Sequence, residues 1–92
     1  MPLNDDTIFE IARHYRFQWE PVQQMHVLLY PEGMVKLPGS SGEILKRVNG
    51  TTRVSEIVAD LERAFPGHDL RGDVVEFLED AYGKGWIRTK QY

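Results

Sequence analysis

Residues 25–37 of the chain read MHVLLYPEGMVKL. Two short apolar runs, 25–30 and 34–37, flank Pro31-Glu32-Gly33, which is typical of a tight turn. Pro38-Gly39 follows and ends the second run. We therefore predict two strands joined in an antiparallel hairpin.

The residues before this hairpin predict a third strand. Residues 15–20 read YRFQWE and alternate aromatic with polar side chains, which is the period-two pattern of a half-buried strand. Pro21 limits that strand. Three strands with short links predict an antiparallel meander. Residues 1–14 carry a weaker pattern, in which Ile8 to Ala12 predict either a helical turn or an extended arm.

After residue 38 the apolar period becomes helical. Ser40 and Glu43 fit a capping box at the start of a first helix, which Asn49-Gly50 ends. Asp69 is a candidate cap for a third helix, and Gly83 and Gly85 close it. The predicted buried stripes are Val54, Ile57, Val58, Leu61 and Phe65 in the second helix, and Leu70, Val74, Phe77, Leu78, Ala81 and Tyr82 in the third.

These elements predict one small α+β domain of winged-helix type, with a three-stranded antiparallel meander followed by three helices. The length of 92 residues suits a single domain with one modest core. We expect residues 15–92 to form this domain and residues 1–14 to be an N-terminal arm.

Composition excludes several function classes. The chain has no cysteine, so disulfides, thiolate metal sites and cysteine nucleophiles are excluded. The three histidines lack metal-binding spacing, and no nucleophile elbow or phosphate-binding loop is present. We predict no enzyme activity, catalytic residue, metal site or cofactor. With neither a signal peptide nor a membrane span in the sequence, we expect a cytoplasmic protein.

A winged-helix DNA-binding protein is the alternative function. From Asp69 to Gly83 the sequence holds five acids and one base, and the whole chain has a net charge of −3. A recognition helix depends on Lys and Arg to approach the phosphate backbone, so this helix would repel DNA. We therefore expect no nucleic-acid partner.

An exposed strand edge offers another kind of binding. The outer strands of a three-stranded meander present unpaired main-chain groups, which are a template for an extended peptide. Either the N-terminal arm or a second copy of the chain would also cover such an edge. The sequence therefore leaves open a peptide-binding module, a monomer with a covered edge and a homodimer.

The chain closely resembles the PqqD family, protein D of pyrroloquinoline quinone (PQQ) biosynthesis. The likeness extends over about residues 15–88, and its most specific part is LLYPEG at Leu28–Gly33. Family members often have Thr where Arg53 stands as a helix cap, so Thr51 or Thr52 would serve here. The other matching residues are Phe17–Glu20, Val27, Met34–Leu37, Glu43–Leu45, Asn49-Gly50, Val54, Glu56–Val58, Leu61, Phe65–Gly67, Asp73-Val74, Phe77-Leu78 and Gly85–Ile87.

The resemblance implies a non-catalytic peptide chaperone, or precursor-peptide recognition element. Such a protein binds a ribosomally made precursor peptide by strand addition and presents it to a radical S-adenosylmethionine (SAM) enzyme. Carried onto this sequence, the resemblance implies that the peptide lies between the third strand and the third helix. The implied peptide-binding residues are Met34, Val35, Lys36 and Leu37 on the strand and Val74, Val75, Phe77, Leu78 and Ala81 on the helix.

Overall fold

The computed structural model describes residues 3–90, so residues 1, 2, 91 and 92 of the predicted arm and domain lie outside the described residues. No helix within 3–90 has both the length and the apolar character that a membrane span requires. The described elements, in chain order, are β1 (Phe9–Ile11), β2 (Arg16–Glu20), β3 (Met25–Tyr30), β4 (Gly33–Leu37), α1 (Ser40–Leu45), α2 (Val54–Ala64), α3 (Arg71–Gly83) and β5 (Ile87–Thr89).

The predicted meander is confirmed. Strands β2, β3 and β4 form an antiparallel sheet in that order. Glu20 pairs with Met25 across the first hairpin, and Tyr30 pairs with Gly33 across the second. The second link is therefore a two-residue loop, which fixes the register of both strands.

The N-terminal arm is extended rather than helical. Strand β1 pairs antiparallel with β5, so the two ends of the domain form a second, two-stranded sheet. The segment before β1 also covers the start of α2, because the carbonyls of Asp5 and Thr7 accept hydrogen bonds from the amides of Ser55 (3.0 Å) and Val54 (2.9 Å). Main-chain carbonyls thereby satisfy helix amides that would otherwise lack a partner.

The core lies between the meander and the three helices. Leu28 and Leu37 face the helices and are buried, whereas Val27 is buried on the opposite face of the sheet, outside the main apolar cluster. Helix α1 packs on β3 and β4, and α3 packs on α2 and β5. The remaining buried members of the main cluster are Phe9, Ile44, Leu45, Val48, Val54, Ile57, Val58, Leu61, Val74, Leu78, Ala81 and Ile87.

The predicted boundaries of the first two helices are partly wrong. The N-cap of α1 is Gly39, with no side-chain cap, so the Ser40–Glu43 capping box does not form, and α1 ends at Leu45 rather than near Asn49. Arg53, not a threonine, is the N-cap of α2, and its amide donates to the Glu56 carboxylate at 2.8 Å. The Asn49 side-chain oxygen instead accepts hydrogen bonds from the amide and hydroxyl groups of both Thr51 and Thr52.

The predicted ends of the later helical segments also need correction. Phe65 follows the last residue of α2 and is 45% exposed, so it does not belong to the buried stripe. Leu70 rather than Asp69 is the N-cap of α3, and its amide donates to the Glu62 carboxylate at 2.9 Å. Asp69 accepts only a long hydrogen bond of 3.4 Å from the Arg71 amide.

Candidate functional site

The outer edge of β4 is free along its length. Strand β4 lies at one end of the three-stranded sheet, and within residues 3–90 no main-chain hydrogen bond joins residues 33–37 to anything outside that sheet. Met34 and Lys36 are exposed, Val35 is half-buried and Leu37 is buried. An extended chain can therefore reach the main-chain groups of this edge.

The turn between β3 and β4 indicates which groups face outward. The usual hydrogen bond of a β-turn joins the carbonyl of its first residue, here Tyr30, to the amide of its fourth, here Gly33. The amide and carbonyl of Gly33 then face β3. Because these groups point to opposite sides of a strand at successive residues, those of Val35, two residues further on, also face β3. The amides and carbonyls of Met34 and Lys36 therefore face the open edge, where an added strand would bond them.

An apolar cleft of about 640 Å³ begins where β4 ends. One wall contains Trp19, His26 and Leu37, which pair across the three strands of the sheet. Helices and the loop before α3 form the rest. The other residues lining the cleft are Gln24, Met25, Gly39, Ser40, Glu43, Ile44, Leu61, Phe65, His68, Leu70, Asp73 and Val74.

Two large apolar side chains are left partly open to solvent at this cleft. Trp19 is 51% exposed and Phe65 is 45% exposed. Among residues 3–90 the other exposed large apolar side chains are Val22 (89%) and Met34 (40%), and neither lines the cleft. An exposed pair of aromatic side chains beside a concave apolar surface is typical of a binding site.

Close packing of α1 on the sheet sets one wall of the cleft. A Cβ atom at Gly42 would lie 2.8 Å from Nδ1 of His26 and 2.9 Å from the carbonyl oxygen of Leu37, so only glycine permits this approach. The His26 ring also stacks on Phe17, with ring centroids 4.8 Å apart, and meets Trp19 edge-on at 5.0 Å. The Trp19 side of the cleft is thus held by packed rings.

An ion pair fixes α1 against α2. The Arg47 guanidinium donates to the Asp60 carboxylate at 2.5 Å and to the Glu43 carboxylate at 3.1 Å. The hydrogen bond from Arg47 lowers the pKa of Asp60, which favours the charged form of this carboxyl group. Glu43 lines the cleft, and the same arginine therefore restrains that part of its wall.

The five residues of α3 that the family resemblance implies lie in three different environments. Val74, Leu78 and Ala81 are buried in the core, so an incoming chain can meet at most their outer atoms. Phe77 is half-buried and lies seven residues after Leu70, so it is on the same side of α3 as that cleft residue but does not itself line the cleft. Val75 lies on another flank. It is seven residues before Tyr82, whose ring packs on Phe9 at 5.9 Å.

The structure thus brings the predicted strand and helix together only at their ends. Leu37 and Val74 both line the cleft, whereas the helix that packs directly on β4 is α1. Sequence reasoning did not assign Trp19 and Phe65 to the site. Trp19 belongs to the aromatic side of the predicted half-buried strand and Phe65 to the predicted apolar stripe of the second helix, so the sequence pattern predicts a packing role for both.

The described residues show no metal-ligand cluster. Within 3–90 no three His, Asp or Glu side chains converge in a way that would hold an ion. The chemistry that this site offers is main-chain hydrogen bonding and apolar contact.

Most of the chain matches a known protein family. Residues 25–87 match the family described as coenzyme PQQ synthesis protein D (PqqD). This segment contains β3, β4 and all three helices.

Curated proteins and a solved structure are also similar to the chain. "PqqA binding protein" of Azotobacter vinelandii is 52% identical, with 92% of this chain and 91% of that protein covered. The protein of the same name from Methylococcus capsulatus is 42% identical, with 96% and 95% covered. The solution NMR structure of the PqqD truncation of Methylobacterium extorquens PqqCD has a TM-score of 0.72 and 25% identity, with 88% of each chain covered. That truncation is described as a functional, stand-alone RiPP recognition element, where RiPP denotes a ribosomally synthesized and post-translationally modified peptide.

Proposed function

The chain belongs to the PqqD family, and from this we propose that it binds the PqqA precursor peptide and catalyses no reaction itself. The single observation that carries the proposal is the free outer edge of β4, which ends at an apolar cleft. The names of the relatives supply the identity of the peptide.

In the proposed complex the peptide adds a strand to β4. Its main chain bonds the outward groups of Met34 and Lys36, which accounts for up to four hydrogen bonds. Each contributes a net ~0.5–1.5 kcal/mol, whereas a micromolar complex needs about 8 kcal/mol in total. Ordering a flexible peptide costs about 2–5 kcal/mol more. Strand addition alone is therefore too weak, and apolar contacts have to supply the rest.

The cleft supplies those contacts in our proposal. A peptide that follows β4 past Leu37 reaches the cleft, where Trp19 and Phe65 are open to solvent. Burial of one Leu-sized or Phe-sized side chain contributes about 1.5–3 kcal/mol. Two or three such anchors, together with the strand, account for micromolar binding. Of the implied helix residues, we expect contributions from Val74, which lines the cleft, and from Phe77, which lies on the same side of α3.

Phe65→Ala tests the cleft. We expect the dissociation constant for the PqqA peptide to rise by about 5–30-fold, since roughly 1–2 kcal/mol of apolar contact is lost. Folding should change little because Phe65 is already half exposed. Isothermal titration calorimetry measures the affinity, and thermal unfolding followed by circular dichroism checks the fold.

Val22→Ala is the matched control for this variant. Val22 is 89% exposed at the tip of the β2–β3 hairpin and does not line the cleft. The Val22→Ala variant should bind the peptide as tightly as the unaltered chain does. Equal affinities for Phe65→Ala and Val22→Ala would rule out the cleft as the place where the peptide is anchored.

We further propose that the bound peptide is presented to a radical SAM enzyme, as the family resemblance implies. The surface for that enzyme would be the acidic side of α3, where Glu76 and Glu79 are exposed and have no ion-pair partner within residues 3–90. This surface does not include the β4 edge, so peptide and enzyme can bind together. Sedimentation of the three components should show a ternary complex; displacement of the peptide by the enzyme would argue against presentation.

A further inference from the structure

The cleft beside β4 carries negative charge as well as apolar surface. Glu43 and Asp73 both line it, whereas no Lys or Arg within residues 3–90 does. The other ionisable residues that line it are His26 and His68. Apolar contact with a peptide gives no reason for carboxylates in this wall, so the cleft has a charge preference that the proposed function leaves unexplained.

The two carboxylates differ in how far the chain itself neutralises them. The Arg47 guanidinium donates to Glu43 at 3.1 Å. Asp73 is exposed in the first turn of α3 and has no ion-pair partner among residues 3–90. A carboxylate in the first turn of a helix also interacts favourably with the helix dipole, and its oxygens remain accessible to an incoming cation. Asp73 is therefore the main uncompensated charge of the cleft.

The open aromatic rings suit a cation too. A Lys or Arg side chain is attracted to the face of an aromatic ring. Elsewhere in the chain Nζ of Lys84 lies 5.1 Å from the centroid of the Trp86 ring, but no cation of residues 3–90 is placed in this way over Trp19 or Phe65. A long cationic side chain can lay its methylene stem on the apolar wall while its charge meets a carboxylate.

We propose that the cleft selects a peptide segment in which Lys or Arg lies beside the apolar anchors, and that Asp73 is the residue that determines this specificity. The inference rests on the proposed function, which assigns the peptide to this cleft. Apolar anchors supply most of the affinity, and the cation decides which segment of the peptide enters. An acidic segment is rejected because it would meet Asp73 and Glu43 with like charge.

A double-mutant cycle between chain and peptide tests the pairing. Its members are the Asp73→Asn variant and PqqA peptides in each of which one Lys or Arg is replaced by norleucine, which keeps an apolar stem without the charge. Asp73→Asn should raise the dissociation constant for the unaltered peptide about 3–5-fold. One norleucine peptide should bind the unaltered chain more weakly by a similar factor, and should bind Asp73→Asn and the unaltered chain equally well.

Isothermal titration calorimetry at low and at high salt measures these affinities. Salt screens an ion pair, so the affinity of the unaltered chain should fall more steeply with salt than that of Asp73→Asn. Glu43→Gln should have a smaller effect than Asp73→Asn because Arg47 already partners Glu43. A loss of helix stability in Asp73→Asn would weaken every peptide alike, so it cannot imitate the coupling to one peptide residue.

Asp6→Asn is the matched control. It is the same chemical change at a side chain that is 89% exposed and lies outside the cleft, so this variant should bind PqqA as the unaltered chain does. If Asp73→Asn bound as tightly as Asp6→Asn, or if no norleucine peptide showed the coupling, the charge preference would be refuted and peptide binding would stand. Absence of any binding between the unaltered chain and the unaltered peptide would refute the proposed function and this inference together.

Discussion

Lys36→Pro should lower the affinity for the PqqA peptide at least tenfold while the domain stays folded. Proline has no amide hydrogen, so the substitution removes one outward donor of β4 and places a ring where the peptide strand would lie. The fold tolerates the change because proline is accepted on an edge strand when its nitrogen faces solvent. Calorimetric titration gives the affinity, and circular dichroism confirms the fold.

Position 36 is chosen for the direction of its amide. At Val35 the amide faces β3, so proline there would break the sheet itself. Lys36→Ala is the matched control, because it removes the exposed side chain but keeps the amide, and it should bind the peptide nearly as well as the unaltered chain. If Lys36→Pro bound as tightly as Lys36→Ala, strand addition at this edge would be wrong.

Leu28→Ala should destabilise the domain by about 2–5 kcal/mol. Leu28 is fully buried on the face of β3 that packs on the helices. Its truncation removes apolar contact and leaves a cavity beneath the helices. Small domains have total stabilities near the lower end of about 5–15 kcal/mol, so this variant loses a large share of its folding free energy. Urea unfolding measures the loss.

Leu29→Ala is the comparison for that variant. Leu29 is the next residue along β3, is only partly buried and points to the face of the sheet away from the main core. Its truncation should cost less than half as much as that of Leu28. Equal costs would mean that the assignment of the two faces of β3 is wrong.

The meander was predictable because its signals are local. Proline and glycine mark both ends of β4, and the aromatic alternation of β2 needs no distant partner to be read. The β1–β5 sheet was not predicted, because it joins residues that are nearly eighty positions apart and each strand has only three residues. A strand that short has too few residues to show a period.

Helix ends were predicted less well, for a physical reason. Capping by side chains can be predicted from sequence. The amides at the start of α2, however, donate to the main-chain carbonyls of Asp5 and Thr7. Because every residue carries a carbonyl, this kind of capping leaves no signal in the sequence. Phe65 fits the apolar period of α2 by position, yet the helix ends one residue earlier. Its exposure depends on where the chain turns.

In the candidate site, too, the part with local signals was predictable and the part formed by distant residues was not. The β4 edge was predicted because an end strand of a meander has no partner by topology. The cleft was not predicted, since Trp19, Phe65 and Leu70 meet only after the sheet and helices pack. The nine residues that the resemblance implied remain a prediction, and the structure shows that those on α3 differ widely in accessibility.

Backbone amide shifts measured while unlabelled PqqA peptide is added to isotope-labelled chain test the central claim most directly. The account predicts saturable shifts that concentrate on residues 33–37 and on the cleft around Trp19, Phe65 and Leu70, with the amides of Met34 and Lys36 among the largest. Shifts confined to β2 or to the acidic side of α3, with β4 unmoved, would contradict it.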